Sequence, residues 1–330
     1  MKISLKNFIV PSIPLAVLLV GACIALWMTD FAGPFFNLPL VHQNTLADNS
    51  IPFFSGNSLL VNILSLLITL LNSFLIAQIN NKFTIIRTRT FLPIFCFLLL
   101  MSCWYPTHTA LTSQVALTLF IFAVFNFFNM LRDNKASEQA FLGSLLISVS
   151  SLLINQFIFL IPVCWIGFVI FQSLSLRTFL ASVMGTLAPW ILYLSVVFLL
   201  NPAENLQQMF STILNFNFTF ISFTLVEYIY AGLMVVILII SVVGVSTMSR
   251  SDAIHTRNKL NFLLFLLVSL AILSIVFMNQ FVSFLPLIAF IYALLLSHPL
   301  TLSQNNFYGI LFSIFCVLNL AFVVFKYIPL

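Results

Sequence analysis

The sequence predicts an all-α fold: a polytopic bundle of transmembrane helices with about eleven spans. Apolar residues make up 62% of the 330 residues and charged residues only 6%, against about 25% charged residues in a soluble domain. Mean hydropathy is +1.17. The charges fall in short gaps between apolar runs of about 15 to 25 residues, which is the length of a membrane span. We therefore predict one integral membrane domain over residues 1–330.

The apolar runs define the spans in order. The first run follows Lys2 and Lys6, continues to Met28 and has no convincing cleavage site, so it is predicted to be a retained span rather than a signal peptide. Two longer polar segments, 29–57 and 201–222, are predicted to lie outside, the second of them in the membrane interface. The predicted spans are about residues 8–28, 58–79, 91–105, 114–131, 140–154, 157–175, 178–200, 224–248, 261–278, 281–297 and 307–326.

The distribution of basic residues predicts the orientation. Lysine and arginine near span ends are retained on the cytoplasmic side. With the N-terminus inside and the C-terminus outside, only Lys326 of the 12 basic residues lies outside. This pattern is typical of a multi-pass protein of the bacterial inner (cytoplasmic) membrane. It also accounts for the net charge of +5 through contact with anionic lipid headgroups, so no nucleic-acid partner is predicted.

Two acidic residues are candidate catalytic groups. Asp30 lies at the outer end of the first span, where a carboxylate could act as a general base or hold a metal that neutralises a phosphate. Glu227 lies in the outer turn of the eighth span beside Tyr228, where partial desolvation would make an acid costly and so a functional candidate. The alternative for both residues is an ordinary solvated helix end.

Four further residues are candidates for substrate binding. His42 and Asp48 lie in the first outside segment and could join Asp30 in an acid–base site, or could be ordinary surface residues. Arg87 and Arg89 could clamp a phosphate, since guanidinium groups match phosphate oxygens in pairs, or could serve only to set topology. The five cysteines lie in apolar runs without metal-type spacing, so no metal site is predicted. The sequence does not identify a cofactor.

Several functional signatures are absent from the sequence. It contains no Walker A loop, GxSxG, HExxH, dinucleotide fingerprint or CxxC pair. A primary pump, a serine hydrolase and a zinc protease of familiar type are therefore not expected. Proton-coupled transport is not favoured either, because no chain of ionisable residues runs through the middle of the spans.

Two resemblances add to these expectations. The segment from Leu71-Asn72-Ser73-Phe74 to Arg87-Thr88-Arg89-Thr90-Phe91-Leu92-Pro93 resembles an uncharacterised family of bacterial multi-span proteins of unknown function. More distantly, Asp30 after the first span, the short paired helices at 140–175 with Arg177, and the stretch from Gly185 to Pro189 resemble the GT-C membrane glycosyltransferases.

The GT-C resemblance implies a glycosyltransferase that uses a polyprenyl-phosphate-linked sugar at the outer face, with Asp30 as the catalytic carboxylate that deprotonates the acceptor or positions a metal against the lipid phosphate. The alternatives are a structural or assembly subunit of an envelope complex, with its Phe-rich faces covered by a membrane-protein partner, and a transporter of lipids or small solutes. For the transporter, helices broken at Pro162, Pro189 or Pro286 would open the path. Membrane lipids are partners in every case.

Overall fold

The computed structural model describes residues 20–27, 58–88, 90–131, 136–200, 224–302 and 306–327. Within these residues the fold is all α-helical, as predicted. A helical segment covers residues 20–27. Ten helices follow: α1 Ser58–Phe83, α2 Leu92–Cys103, α3 Leu111–Asn129, α4 Ala136–Leu153, α5 Leu160–Ile170, α6 Leu176–Leu200, α7 Leu225–Met248, α8 Ile254–Val276, α9 Phe281–Leu302 and α10 Asn306–Tyr327.

Eight helices of the described chain are long and apolar enough to cross a membrane, and α2 and the stretch 155–170 are shorter apolar helices. Each coincides with a predicted span to within a few residues, except at the start of α8. That helix begins at Ile254, although the sequence predicts a basic loop up to about residue 260. The count of eleven spans and the orientation of the termini stay predictions.

Helix α9 is the centre of the bundle. It is the most buried of the span-length helices and packs against α2, α3, α7 and α8. Aromatic pairs fix its position: the ring of Phe290 meets Phe120 of α3 edge-on at 6.4 Å between centroids, and Phe284 lies 5.3 Å from Phe157. The helix continues through Pro286 and Pro299. Helix α6 likewise continues through Pro189.

Helices α4 and α6 form the most extensive helix pair. They approach closely because small residues line the contact: a Cβ on Gly185 would lie 2.5 Å from the Phe141 carbonyl oxygen. Two hydrogen bonds join them, from Ser148 Oγ to the Thr186 carbonyl at 2.7 Å and from Trp190 Nε1 to Ser151 Oγ at 3.0 Å. The opposite side of α6 is largely exposed and apolar, as a lipid-facing helix would be.

Candidate functional site: a lateral cavity and a buried charge cluster

The first structural feature of note is a charge cluster that joins three separate parts of the chain. Arg87 lies between α1 and α2, Asp252 between α7 and α8, and His298 in α9. Arg87 Nε lies 2.7 Å from Asp252 Oδ1, and His298 Nε2 lies 3.0 Å from Asp252 Oδ2. The Arg87 guanidinium also donates to the Ser251 carbonyl. The cluster therefore ties the α7–α8 connection to α9 and to the end of α1.

The two inner members of the cluster are shielded from solvent. The side chains of Asp252 and His298 are 1% and 0% exposed, whereas that of Arg87 is 48% exposed. A buried carboxylate is tolerated because each oxygen faces a nitrogen-bearing partner. Because one oxygen contacts the Arg87 guanidinium and the other the His298 ring, this carboxylate is placed to hold these parts of the chain together.

The end of α1 is shaped so that Arg87 reaches Asp252. Thr84 follows the helix with a φ of 47°, the left-handed conformation that often ends a helix. The Ile86 N–H then donates to Asn80 Oδ1 at 3.0 Å. Lys259, which is buried in α8, donates from Nζ to the Phe83 carbonyl at 3.0 Å, one of the carbonyls that a helix leaves without an internal partner.

The second feature is a cavity of about 360 Å³ between α7, α8 and α9. Its floor is α9, through Leu285, Ala289 and Tyr292. Helices α7 and α8 both pack on α9 but hardly touch each other, so the space between them stays open. Val235 of α7 and Ile275 of α8 line the cavity and are more than half exposed. The cavity is therefore open at the side, between two apolar helices that are long enough to cross a membrane.

The wall of the cavity is apolar, and each of its four hydroxyl groups is engaged within the protein. Thr107 Oγ1 donates to the Met101 carbonyl at 2.8 Å and Ser274 Oγ to the Ala271 carbonyl at 2.8 Å. The two tyrosine hydroxyls of the lining are bonded in the same way: Tyr230 to Asn319 Oδ1 at 2.9 Å and Tyr292 to the Met234 carbonyl at 3.2 Å. The wall thus offers a guest hydrophobic contact rather than free hydroxyl groups.

Aromatic rings close one end of the cavity. Trp104 follows α2, and its ring lies 5.7 Å from that of Tyr230 at the start of α7. Phe322 of α10 stacks on Tyr230 at 4.0 Å and on Trp104 at 5.5 Å between centroids. Since these side chains come from α2, α7 and α10, the stack fixes the end of the cavity that lies far from the charge cluster along α9.

The residues predicted from sequence are distributed as follows. Asp30, His42, Asp48 and Arg89 lie outside the described residues. Glu227 belongs to a capping box at the start of α7: its carboxylate accepts from the Thr224 N–H at 2.8 Å, and its own N–H donates to Thr224 Oγ1 at 3.4 Å. Arg87 is engaged by Asp252, as described above.

Sequence reasoning missed Asp252 and His298. Asp252 is the one acid among Arg250, Arg257 and Lys259 in a connection that appears simply basic. His298 is an ionisable residue at the end of a predicted apolar span. An ionisable group in a span requires a partner, and that was the signal available for His298.

Comparison with known protein families assigns the chain to one of them. A family model described as "Family of unknown function (DUF6427)" matches residues 35–330. The chain belongs to this family. The predicted resemblance to an uncharacterised family is thereby confirmed. No curated protein and no solved structure matches the chain, so no named relative bears on the GT-C resemblance or gives the DUF6427 protein an activity.

Proposed function

We propose that this DUF6427 protein is an integral protein of the bacterial inner membrane that binds the hydrocarbon chain of a membrane lipid between α7 and α8. The observation that carries the proposal is the sideways-opening apolar cavity of about 360 Å³. Its volume falls within the range of about 300 to 1,000 Å³ that is typical of ligand sites.

The chemistry of the wall selects the class of guest. Thr107, Tyr230, Ser274 and Tyr292 line the cavity but already donate within the protein. A polar headgroup inside would lose its hydration and find no free donor among these hydroxyls for its phosphate oxygens, which is costly. A hydrocarbon chain loses nothing by leaving the bilayer, because lipid tails are as apolar as the wall. Binding would therefore rest on packing of the chain against the cavity wall.

The contacts between helix ends agree with the predicted alternation of sides from α1 to α10, while the N-terminus inside rests on the basic residues of the sequence. Arg87, Asp252 and His298, which that topology places on the inner side, meet in one cluster. Trp104, Tyr230 and Phe322, which it places on the outer side, meet in one stack. On this topology the cavity occupies the outer half of the membrane.

A more specific version of the proposal is that the protein is a GT-C-like glycosyltransferase that acts on a polyprenyl-phosphate-linked sugar. Its support is that a lipid chain in the outer half of the cavity would bring its phosphate to the outer surface. The sequence predicts Asp30, His42 and Asp48 on that surface. In this form Asp30 is the catalytic carboxylate, and Glu227 serves α7 as its capping residue.

Photo-crosslinking tests the lipid proposal. The protein is reconstituted with a diazirine-bearing phospholipid or a diazirine-bearing polyprenyl phosphate, and labelled peptides are mapped. We expect label on the cavity lining of α7 and α9. Ala271→Phe, which puts a ring into the cavity, should reduce that label several-fold. The matched control Ile272→Phe changes an exposed neighbour in α8 that does not line the cavity, and it should leave the label unchanged.

The outcomes separate the proposals. Preferential labelling by the polyprenyl phosphate supports the glycosyltransferase form, and Asp30→Asn then becomes the activity test. Equal labelling by both lipids supports lipid binding without that specificity. Label confined to outward faces such as that of α6, with none in the cavity, contradicts the lipid proposal and favours a structural or assembly subunit.

A further inference from the structure

The buried face of α1 is polar over the first half of the helix. Asn62, Ser65, Thr69 and Asn72 follow one another at intervals of three and four residues, which places them on one side of the helix. All four are buried. The same side continues with the apolar Ile76 and Ile79 near the other end. We call the polar part, together with Gln114 of α3, the polar seam.

The deeper end of the polar seam satisfies most of its own hydrogen bonds. Asn72 Nδ2 donates to the Gln114 carbonyl at 3.1 Å, and Thr118 Oγ1 donates to Asn72 Oδ1 at 2.8 Å. Thr69 Oγ1 donates to the Ser65 carbonyl at 2.8 Å. These bonds join α1 to α3, which is the role that amides commonly have between membrane helices.

Three atoms of the polar seam have no hydrogen-bond partner among the residues that the structure describes: Asn62 Oδ1, Ser65 Oγ and Gln114 Nε2. Asn62 is 9% exposed, and Ser65 and Gln114 are both 0% exposed. A buried polar group without a partner is destabilising, and bilayer lipid supplies no water to replace it. Three such atoms along the polar seam point to occupants that bond to them.

The chemistry of the three atoms defines these occupants. Asn62 Oδ1 accepts a hydrogen bond, Gln114 Nε2 donates one, and Ser65 Oγ does both. A hydroxyl group donates and accepts through a single oxygen, so it can bond to each of them in turn. The side chains of the seam are neutral, and a buried charge without a counter-charge is strongly disfavoured. The occupants are therefore neutral and carry hydroxyl groups.

We infer that the polar seam is a binding site for hydroxyl groups, either ordered water or the hydroxyls of a sugar. From Asn62 to Asn72 the seam extends about 15 Å along α1, at about 1.5 Å per residue, so its two ends would be bonded by separate hydroxyl groups. The inference is independent of the lateral cavity, because none of the seam residues lines it.

The test is a structure of the full chain in nanodiscs at a resolution that shows ordered water. Wild-type protein should show density within hydrogen-bonding distance of Ser65 Oγ and Gln114 Nε2. Ser65→Ala and Gln114→Met should each lose the adjoining density. Ser73→Ala is the matched control: Ser73 is also buried in α1, but its hydroxyl already donates to the Leu70 carbonyl at 2.7 Å. Its substitution should leave the density intact.

Two further measurements complete the test. Native mass spectrometry distinguishes the two sources of hydroxyl groups, since a retained sugar adds its mass to the wild-type protein and water does not persist as a defined adduct. A seam that is dry in wild-type protein would overturn the inference. In that case Ser65→Ala would raise the thermal unfolding midpoint, because it removes a hydroxyl that has no partner.

Discussion

Removing the guanidinium of Arg87 should destabilise the bundle markedly. The Arg87→Met variant keeps a long apolar side chain but deprives the Asp252 carboxylate of its contact at 2.7 Å. Loss of one member of a fully buried ion pair costs about 3–5 kcal/mol, while an exposed pair contributes about 0–1 kcal/mol. Because Asp252 is 1% and Arg87 48% exposed, we expect an intermediate loss of about 2–3 kcal/mol.

The assay is reversible unfolding in mixed micelles of SDS and a mild detergent, followed by circular dichroism. Arg250→Met is the matched control, since Arg250 is an exposed arginine of the same α7–α8 connection; its substitution should change stability by no more than about 0.5 kcal/mol. Asp252→Asn and the double variant with Arg87→Met complete a thermodynamic cycle, for which we expect a coupling of about 1–3 kcal/mol. A loss below about 0.5 kcal/mol for Arg87→Met, or a coupling near zero, would refute the argument that this pair holds the connection.

Three other substitutions test separate contacts by the same unfolding assay. Gly185→Ala should lower stability by about 1–3 kcal/mol, because its Cβ would meet the Phe141 carbonyl at 2.5 Å; unchanged stability would show that α4 and α6 are not so close. Thr84→Gly should raise stability by up to about 1–2 kcal/mol, since Thr84 has a φ of 47°, which is costly for a residue with a Cβ; a lower stability would contradict this. Tyr230→Phe should cost about 1–3 kcal/mol by leaving the buried Asn319 Oδ1 without its donor, and a neutral result would argue against that bond.

The positions of the helices were largely predictable from the sequence, because a membrane span must be a long apolar run and the charges mark its ends. The exception at α8 has a physical reason. Lys259 reads as a loop residue in a hydropathy pattern, but its side chain is buried and donates to the Phe83 carbonyl. That bond accommodates a buried lysine in a helix that begins at Ile254, several residues before the apolar run.

The charge cluster could not be predicted as a unit. Asp252 and His298 are 46 residues apart in sequence, and Arg87 is farther still from either. Their meeting depends on how α1, α7 and α9 pack, which no local pattern encodes. The sequence did predict that Arg87 contacts an anionic group, namely a phosphate. The anion in the structure is the carboxylate of Asp252.

The lateral cavity could not be predicted from the sequence either. Apolar periodicity indicates that α7 and α8 are membrane helices, but it does not show whether two consecutive helices pack together or diverge. Here both pack on α9 and hardly on each other. Ala271 and Ala289, which line the resulting space, are indistinguishable in sequence from alanines that allow close helix packing.

The most direct test of the account is a cryo-EM structure of the protein in nanodiscs made from bacterial lipid extract. We expect α7 and α8 to stand apart, with elongated density, continuous with the surrounding lipid, between Met234 and Ala289. Helices α7 and α8 packed directly against each other, with the space between them and α9 closed by protein side chains, would contradict it.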